Sequence, residues 1–173
     1  MKNILVTGGC GFIGSNFVKY IISLKNYFPI IIDKLTYAGS KDNISQISKN
    51  CFEFIEGDIC DEQLLYNLFR TYEFEGVFHF AAESHVDRSI DGPRQFINTN
   101  IIGTFNLLQA SRAYTKSNDN NFKFIHVSTD EVYGDLGIDG YFDEDSSYKP
   151  NSPYSASKAA SDHLVRAWGK TFK

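Results

Sequence analysis

The stretch ILVTGGCGFIGS, Ile4 to Ser15, joins a short apolar run to a glycine cluster and then to a new periodic pattern. Ile4, Leu5 and Val6 have the length and β-rich character of a buried strand, and Thr7-Gly8-Gly9 breaks it. Past the break, Ile13, Phe17, Ile21 and Leu24 recur every three or four residues, which predicts a helix ending near Asn26 with those four on its inner face. Gly8, Gly11 and Gly14 fall between strand and helix in a GxxGxxG pattern. Helix N-terminal amides are unpaired and carry partial positive charge, so a pyrophosphate can lie against them where no side chain blocks its approach. Three glycines alone describe any glycine-rich turn. Their place directly after a strand makes a dinucleotide site the stronger reading.

The alternation continues along the chain. Phe28 to Asp33 is a second β-rich run, with Pro29 tolerable only near a strand start or on an edge, and Phe52 to Ile55 is a third. Asp61 to Tyr72 reads as a helix with Leu64, Leu65 and Leu68 inside and acids in its first turn, where the helix dipole favours them. Val77 to Phe80 is the fourth strand. From Pro93 to about Thr115 runs a long helix bearing Phe96, Ile97, Ile101, Phe105 and Leu108, its apolar stripe widened by Ile102 and Leu107. So broad a stripe fits either deep burial or a subunit contact. Phe124 to Val127 is the fifth strand, and Ser152-Pro153 opens a last helix with a cap residue and a first-turn proline. The pattern predicts an α/β, Rossmann-like, doubly wound parallel sheet forming one dinucleotide-binding domain over residues 1–173.

Composition narrows the function classes. The 42% apolar content supports a proper core, and a formal charge of -4 offers no broad basic surface for nucleic acid or anionic membrane. Cys10, Cys51 and Cys60 are odd in number and lack metal-ligand spacing, so neither a disulfide framework nor a zinc site is expected. No apolar run approaches the ~18 residues of a membrane span, and Met1-Lys2 leads straight into a strand. A cytoplasmic protein with a small-molecule ligand is expected. The polar stretches Thr115 to Asn121 and Asp135 to Asn151 read as loops, not interdomain linkers.

Asp33 ends the second strand 19 positions past Gly14, where a carboxylate can accept both ribose hydroxyls of an adenosine and repel a 2′-phosphate. NAD is therefore preferred over NADP, although Lys34 could compensate a phosphate. Asp58-Ile59 could hold the adenine edge, or Asp58 could simply begin a turn. Tyr154 and Lys158, four apart on the last helix, share a face, and an ammonium there would favour the phenolate as a general base. Ser128-Thr129-Asp130-Glu131 follows the fifth strand, where ligands of such sheets bind; the acidic pair is either a solvated loop or the acid and base of one reaction.

TGGCGFIGS (7–15), DKLTYAG (33–39), GDI (57–59), AAESHVDRS (81–89), NTN (98–100), STDEVYG (128–134) and YSASK (154–158) together resemble extended short-chain dehydrogenases/reductases, in particular the nucleotide-sugar 4,6-dehydratases that use dTDP-glucose or UDP-glucose. STDEVYG is the most specific piece, because related epimerases tend to carry small or neutral residues in place of Asp130 and Glu131. The resemblance implies NAD as cofactor, with Phe12 and Ile13 at the pyrophosphate, Asp33, Lys34, Leu35 and Thr36 at the adenosine, and Ala81, Ala82, Ser84 and Thr99 at other parts of NAD or the sugar, Ser84 foremost for the sugar. It further implies Tyr154, Lys158, Thr129, Asp130 and Glu131 as catalytic, the last two serving loss of water in deoxysugar formation of the rhamnose type. His85, Asp87 and Arg88 are expected to be structural or substrate-positioning, and His79 and His126, within strands, to lie in the core or behind the residues that touch the ligand. A homodimer through the helices starting near Pro93 and Ser152 is also implied. Relatives continue past the YxxxK helix into a C-terminal substrate domain, so this chain is expected to be a fragment that binds NAD better than it turns over substrate. A 4-epimerase, a non-catalytic NAD-binding module and a structural oligomerisation domain are the alternatives; the last leaves Gly8, Gly11, Gly14 and Asp33 unexplained.

Overall fold

Five parallel strands form a single sheet in the order β3-β2-β1-β4-β5, comprising Lys2–Thr7 (β1), Tyr27–Asp33 (β2), Glu53–Glu56 (β3), Phe74–His79 (β4) and Lys123–His126 (β5). The computed structural model describes residues 1–117 and 121–172. The expected loop from Thr115 to Asn121 falls partly outside them. The helices are Phe12–Ser23 (α1), Glu62–Thr71 (α2), Val86–Asp91 (α3), Pro93–Phe96 (α4), Thr104–Ser117 (α5) and Pro153–Thr171 (α6), with a π-helical segment Ile97–Gly103 between α4 and α5. The chain divides into two compact units, 1–81 with 106–127, and 82–105 with 128–173.

The first unit holds the whole sheet. Successive strand side chains point to opposite faces, so Leu5, Ile30 and Ile32 pack with Leu65, Leu68, Phe69 and Leu107 on one side. Ile4, Val6 and Ile31 pack with Val18, Ile21 and Ile44 on the other. Both faces are thus covered, the condition under which a parallel sheet is stable. Pro29 pairs only with Ile4 of β1, because the β2–β3 ladder starts one residue later, at Ile30. Its missing N–H is therefore lost at the strand's beginning. Tyr114 Oη accepts from the Phe74 amide at 2.9 Å and lies 3.2 Å from the Phe74 carbonyl, pinning α5 to the start of β4. β5 forms the sheet edge, with no further strand beside it among the described residues.

Two helical expectations need correction. The inner face of α1 carries Gly14, Ser15, Val18 and Ile21, with Phe17 partly buried against the same core as expected, while Ile13 is exposed and Leu24 lies past the helix end. The cause is the glycine turn: Gly14 packs so tightly that the helix sits rotated towards it. The long helix expected from Pro93 is also not uniform, because residues 97–103 adopt the wider π turn. Such turns are rare and recur at functional sites, and here Asn100 is buried within it. α3 went unpredicted; its six residues are too few to generate a period.

The second unit contains α3, α4, the π segment and α6. Phe96 meets Tyr154 edge to face, with ring centroids 6.3 Å apart. Ser152 caps α6, accepting from the Ser155 amide at 3.0 Å while its own amide donates to Ser155 Oγ at 2.9 Å. In α2, Asp61 likewise accepts from the Leu64 amide at 3.0 Å. Asp61→Ala leaves that amide unsatisfied and is expected to lower stability by about 1 kcal/mol, read from the urea midpoint.

Candidate active site

The glycine loop, the Asp33 segment and Asp58-Ile59, expected to hold the nucleotide, lie in the first unit. Gly8 has φ +68°, and a Cβ there would stand 2.6 Å from the Ala81 nitrogen. A Cβ at Gly14 would stand 2.2 Å from the Gly8 carbonyl oxygen. These two glycines are required by the protein's own packing. Gly11 differs, since its Cβ would meet protein no closer than 3.4 Å. It caps α1 with no side-chain hydrogen bond, so no side chain occupies the helix's N-terminal amides, and Phe12 is 82% exposed. An anion can be seated there without displacing anything.

Asp33 ends β2 and is 9% exposed. Its Oδ2 accepts from the Cys10 amide and its Oδ1 from the Leu35 amide, both at 2.9 Å. A carboxylate has lone pairs beyond those two. The glycine loop and the acid are thereby locked together, a contact that sequence spacing does not reveal. Leu35 takes a left-handed conformation, φ 55°, and Thr36 accepts from the Gly39 amide at 3.2 Å. A Cβ at Gly39 would come within 2.8 Å of Asp33 Oδ1, so only glycine fits against the acid there. An uncapped helix, an open glycine and a fixed acid fit an adenine dinucleotide.

Lys34 Nζ pairs with Asp58 Oδ2 at 2.6 Å, and Asp58 Oδ1 accepts from the Cys60 amide at 2.9 Å. Asp58 is therefore a turn former and an ion-pair partner. Burial pushes its carboxyl up, but the bonds from Lys34 and Cys60 more than offset this and hold it below the usual range. Ile59 is buried beside it. The thiols of Cys10 and Cys60 are pushed up, chiefly by burial, to about 12 and about 11. His79 is buried as expected, its Nδ1 2.7 Å from Thr7 Oγ1, and its ring lies 5.1 Å from that of His126. Thr7 Oγ1 also accepts from the Ala81 amide at 3.2 Å.

The expected catalytic residues lie in the second unit. Thr129 caps a short 3-10 turn, Asp130–Tyr133, that presents Asp130 and Glu131 to solvent. α6 packs against this turn and buries Tyr154 and Lys158 on one face. Burial raises the Tyr154 phenol above its ordinary value; a hydrogen bond with Thr129 lowers it, while Glu131, Asp130 and Asp162 raise it further. The phenol is raised on balance, because burial and the surrounding carboxylates outweigh the bond from Thr129. Burial also lowers the Lys158 ammonium to about 8, with Asp162 opposing the fall. Ala82 and Thr99 are partly buried and Ser84 is exposed. His85, Asp87 and Arg88 lie at or in the start of α3, and His163 stacks on Tyr148 at 5.2 Å. Among the described residues no cluster of metal-ligating side chains is found.

Sequence reasoning did not identify Asn100, Ser157 and Asp162. Asn100 Oδ1 accepts from the Glu83 amide at 2.9 Å, and its Nδ2 donates to the Glu83 carbonyl at 3.0 Å and to Ser157 Oγ at 2.8 Å. It joins the segment after β4 to the π turn and to α6. The signal available was its inclusion in the NTN motif, between apolar Ile97 and Ile101.

The sheet, the glycine loop and the Tyr-Lys helix define an extended short-chain dehydrogenase/reductase. The chain belongs to the GDP-mannose 4,6 dehydratase family, whose profile matches residues 5–173. It is 52% identical over 178 residues to dTDP-glucose 4,6-dehydratase of Neisseria meningitidis serogroup B, covering 99% of this chain and 50% of that protein. To dTDP-glucose 4,6-dehydratase 1 of Escherichia coli K12 it is 49% identical over 183 residues, covering 98% and 51%. Among solved structures, the dTDP-glucose 4,6-dehydratase of Streptomyces venezuelae with NAD bound superposes with TM-score 0.89 at 43% identity, covering 98% of this chain and 52% of that one. UDP-glucose 4-epimerase of Thermotoga maritima gives 0.85 at 32%, covering 98% and 52%. The chain spans about half the length of the curated relatives it matches.

Two outcomes follow from the packing. Gly14→Ala forces apart α1 and the Gly8 carbonyl, and is expected to lower the melting temperature and abolish dinucleotide binding, as read by calorimetry. For Lys158, the unfolded chain binds more protons than the folded one between about 8 and 10.5, so folding stability rises with pH across that window. Lys158→Met removes the cost of burying the charge and is expected to stabilise the fold at pH 7 by on the order of 1 kcal/mol, the gain shrinking towards pH 10.

Proposed function

We propose that this chain carries the NAD-binding and catalytic residues of a nucleotide-sugar 4,6-dehydratase acting on dTDP-glucose or UDP-glucose. The observation that carries this reading is the Asp130–Tyr133 turn packed on α6, which sets two solvent-facing carboxylates beside a buried Tyr-Lys pair. Oxidation and reduction at one carbon, as in 4-epimerisation, need the tyrosine and lysine but not the acids. Loss of water across neighbouring carbons needs both.

Gly8, Gly11, Phe12, Ile13 and Gly14 would seat the pyrophosphate, Asp33 with Lys34, Leu35 and Thr36 the adenosine ribose, and Asp58-Ile59 the adenine. Lys34 is held by Asp58, which supports NAD over NADP. Ala81, Ala82, Ser84 and Thr99 would line the remainder, Ser84 and Thr129 towards the sugar. Bound NAD would supply the hydride acceptor at C4 and the hydride donor for C6, its cationic ring favouring the phenolate. Tyr154, assisted by Thr129 and Lys158, takes the C4 hydroxyl proton as C4 is oxidised to the ketone. That ketone acidifies C5. Glu131 removes the C5 proton while Asp130 gives a proton to the departing C6 hydroxyl, which leaves as water. Reduction at C6 and return of the proton from Glu131 to C5 complete the 4-keto-6-deoxy sugar, a precursor in rhamnose-type pathways.

A homodimer in the cytoplasm completes the reading. Ile97 and Ile102, 44% and 45% exposed on the π segment, support a subunit contact near the helix beginning at Pro93. Sedimentation of the protein with Ile102→Glu is expected to give monomer where the parent gives dimer.

The decisive assay incubates the product of the full reading frame with NAD and either sugar nucleotide, and follows mass. Loss of one water is expected, and the faster sugar names the nucleotide. A product of unchanged mass and altered configuration would mean an epimerase. Tyr154→Phe is expected to reduce turnover about 10²-fold or more. Glu131→Gln should block water loss while leaving oxidation at C4 detectable as cofactor absorbance in a single turnover.

A further inference from the structure

Behind the Tyr-Lys pair lies a third ionisable group. Asp162 stands one turn beyond Lys158 and two beyond Tyr154, so all three share a face of α6. Its Oδ2 accepts from Ser128 Oγ at 2.6 Å and from Tyr148 Oη at 2.9 Å. Two hydroxyls from separate parts of the chain thus hold one carboxylate, and Asp162 Oδ1 is shielded from solvent. Charged hydrogen bonds of this kind fix both the rotamer and the ionised state. The Tyr148 phenol is pushed up to about 12 by burial and by Asp162, so it remains a donor through neutral pH. Nothing in the proposed reaction uses this arrangement.

We propose that Asp162 is a positioning residue for Lys158: anchored by Ser128 and Tyr148, its carboxylate is the fixed counter-charge that directs the buried ammonium along the face it shares with Tyr154. The inference rests on the dehydratase reading for its role in turnover, but not for its effect on Lys158. Asp162 is the group that opposes the loss of the Lys158 proton on burial. The other charged or titratable groups nearby are Tyr154 and His163 on α6, Asp130, Glu131 and Tyr133 on the 3-10 turn, and Tyr148. α3 and α4 add Asp87, Arg88, Asp91 and Arg94, all exposed. None of the cations among these replaces Lys158.

The test is the titration of Lys158, followed by carbon-13 lysine NMR on the full-length protein and assigned by loss of its signal in Lys158→Met. In Asp162→Asn the Lys158 midpoint is expected to fall by about one pH unit, and in Asp162→Glu to return most of the way. Removing one negative charge also lowers the Tyr154 midpoint, so both limbs of the kcat/KM profile should move to lower pH. A purely structural role would reduce amplitude and leave the midpoints in place, and that outcome overturns the proposal. Should Asp162→Asn not fold, Ser128→Ala with Tyr148→Phe frees the carboxylate and is expected to give a smaller shift in the same direction; an unmoved midpoint there overturns it equally. If the parent protein yields no dehydrated product, the dehydratase reading fails while the NMR titration still decides the role of Asp162.

Discussion

The contact of Gly14 with the Gly8 carbonyl constrains everything on the nucleotide side of the molecule. A methyl group at residue 14 would fall 2.2 Å from that oxygen, so the first helix can approach the first strand only where side chains are absent. This approach decides which face of α1 turns inward and leaves Phe12 and Ile13 outward. It also brings the Cys10 amide to Asp33, which couples the glycine turn to the end of the neighbouring strand. An isolated carboxylate at a strand end would be free to rotate. One held by two backbone amides presents its remaining lone pairs in a fixed direction.

The second unit relies on polar groups. Asn100 satisfies both backbone groups of Glu83 and reaches Ser157, so one buried amide ties together three segments. Buried polar groups are costly unless paired, and a fully paired one accepts few alternative arrangements. A plain α-helix through residues 97–103 would carry its side chains on a different angular course. The π turn carries Asn100 buried at its centre. α6 then carries buried Tyr154, Ser157, Lys158 and Ser161, a polar face that in a purely structural helix would be apolar. Burying lysine there lowers its proton affinity and works against stability.

Tyr154 illustrates how electrostatics depend on environment more than on sequence neighbours. Lysine four residues away suggested a stabilised phenolate. Burial and three carboxylates instead raise the phenol, and Thr129 alone among the nearby groups named pulls it down. Asp130 and Glu131 thus disfavour the phenolate of the tyrosine that α6 buries beside them.

By itself the sequence determined the alternation of elements, their parallel pairing, the glycine turn with its strand-terminal acid, and the family through motifs from Thr7 to Lys158. These are legible because they are local: period, break residues and spacing along the chain express backbone geometry directly. Tertiary structure alone decided that α1 is rotated, that the long helix contains a π turn, that Lys34 and Asp58 form an ion pair, and that Asn100, Ser128, Tyr148 and Asp162 matter. The polar contacts among those depend on partners far along the chain, between 17 and 57 residues away for Asn100 and 34 for Ser128 and Asp162. Hydrogen bonds between such distant side chains leave no period in the sequence, since what selects them is desolvation in a packed interior.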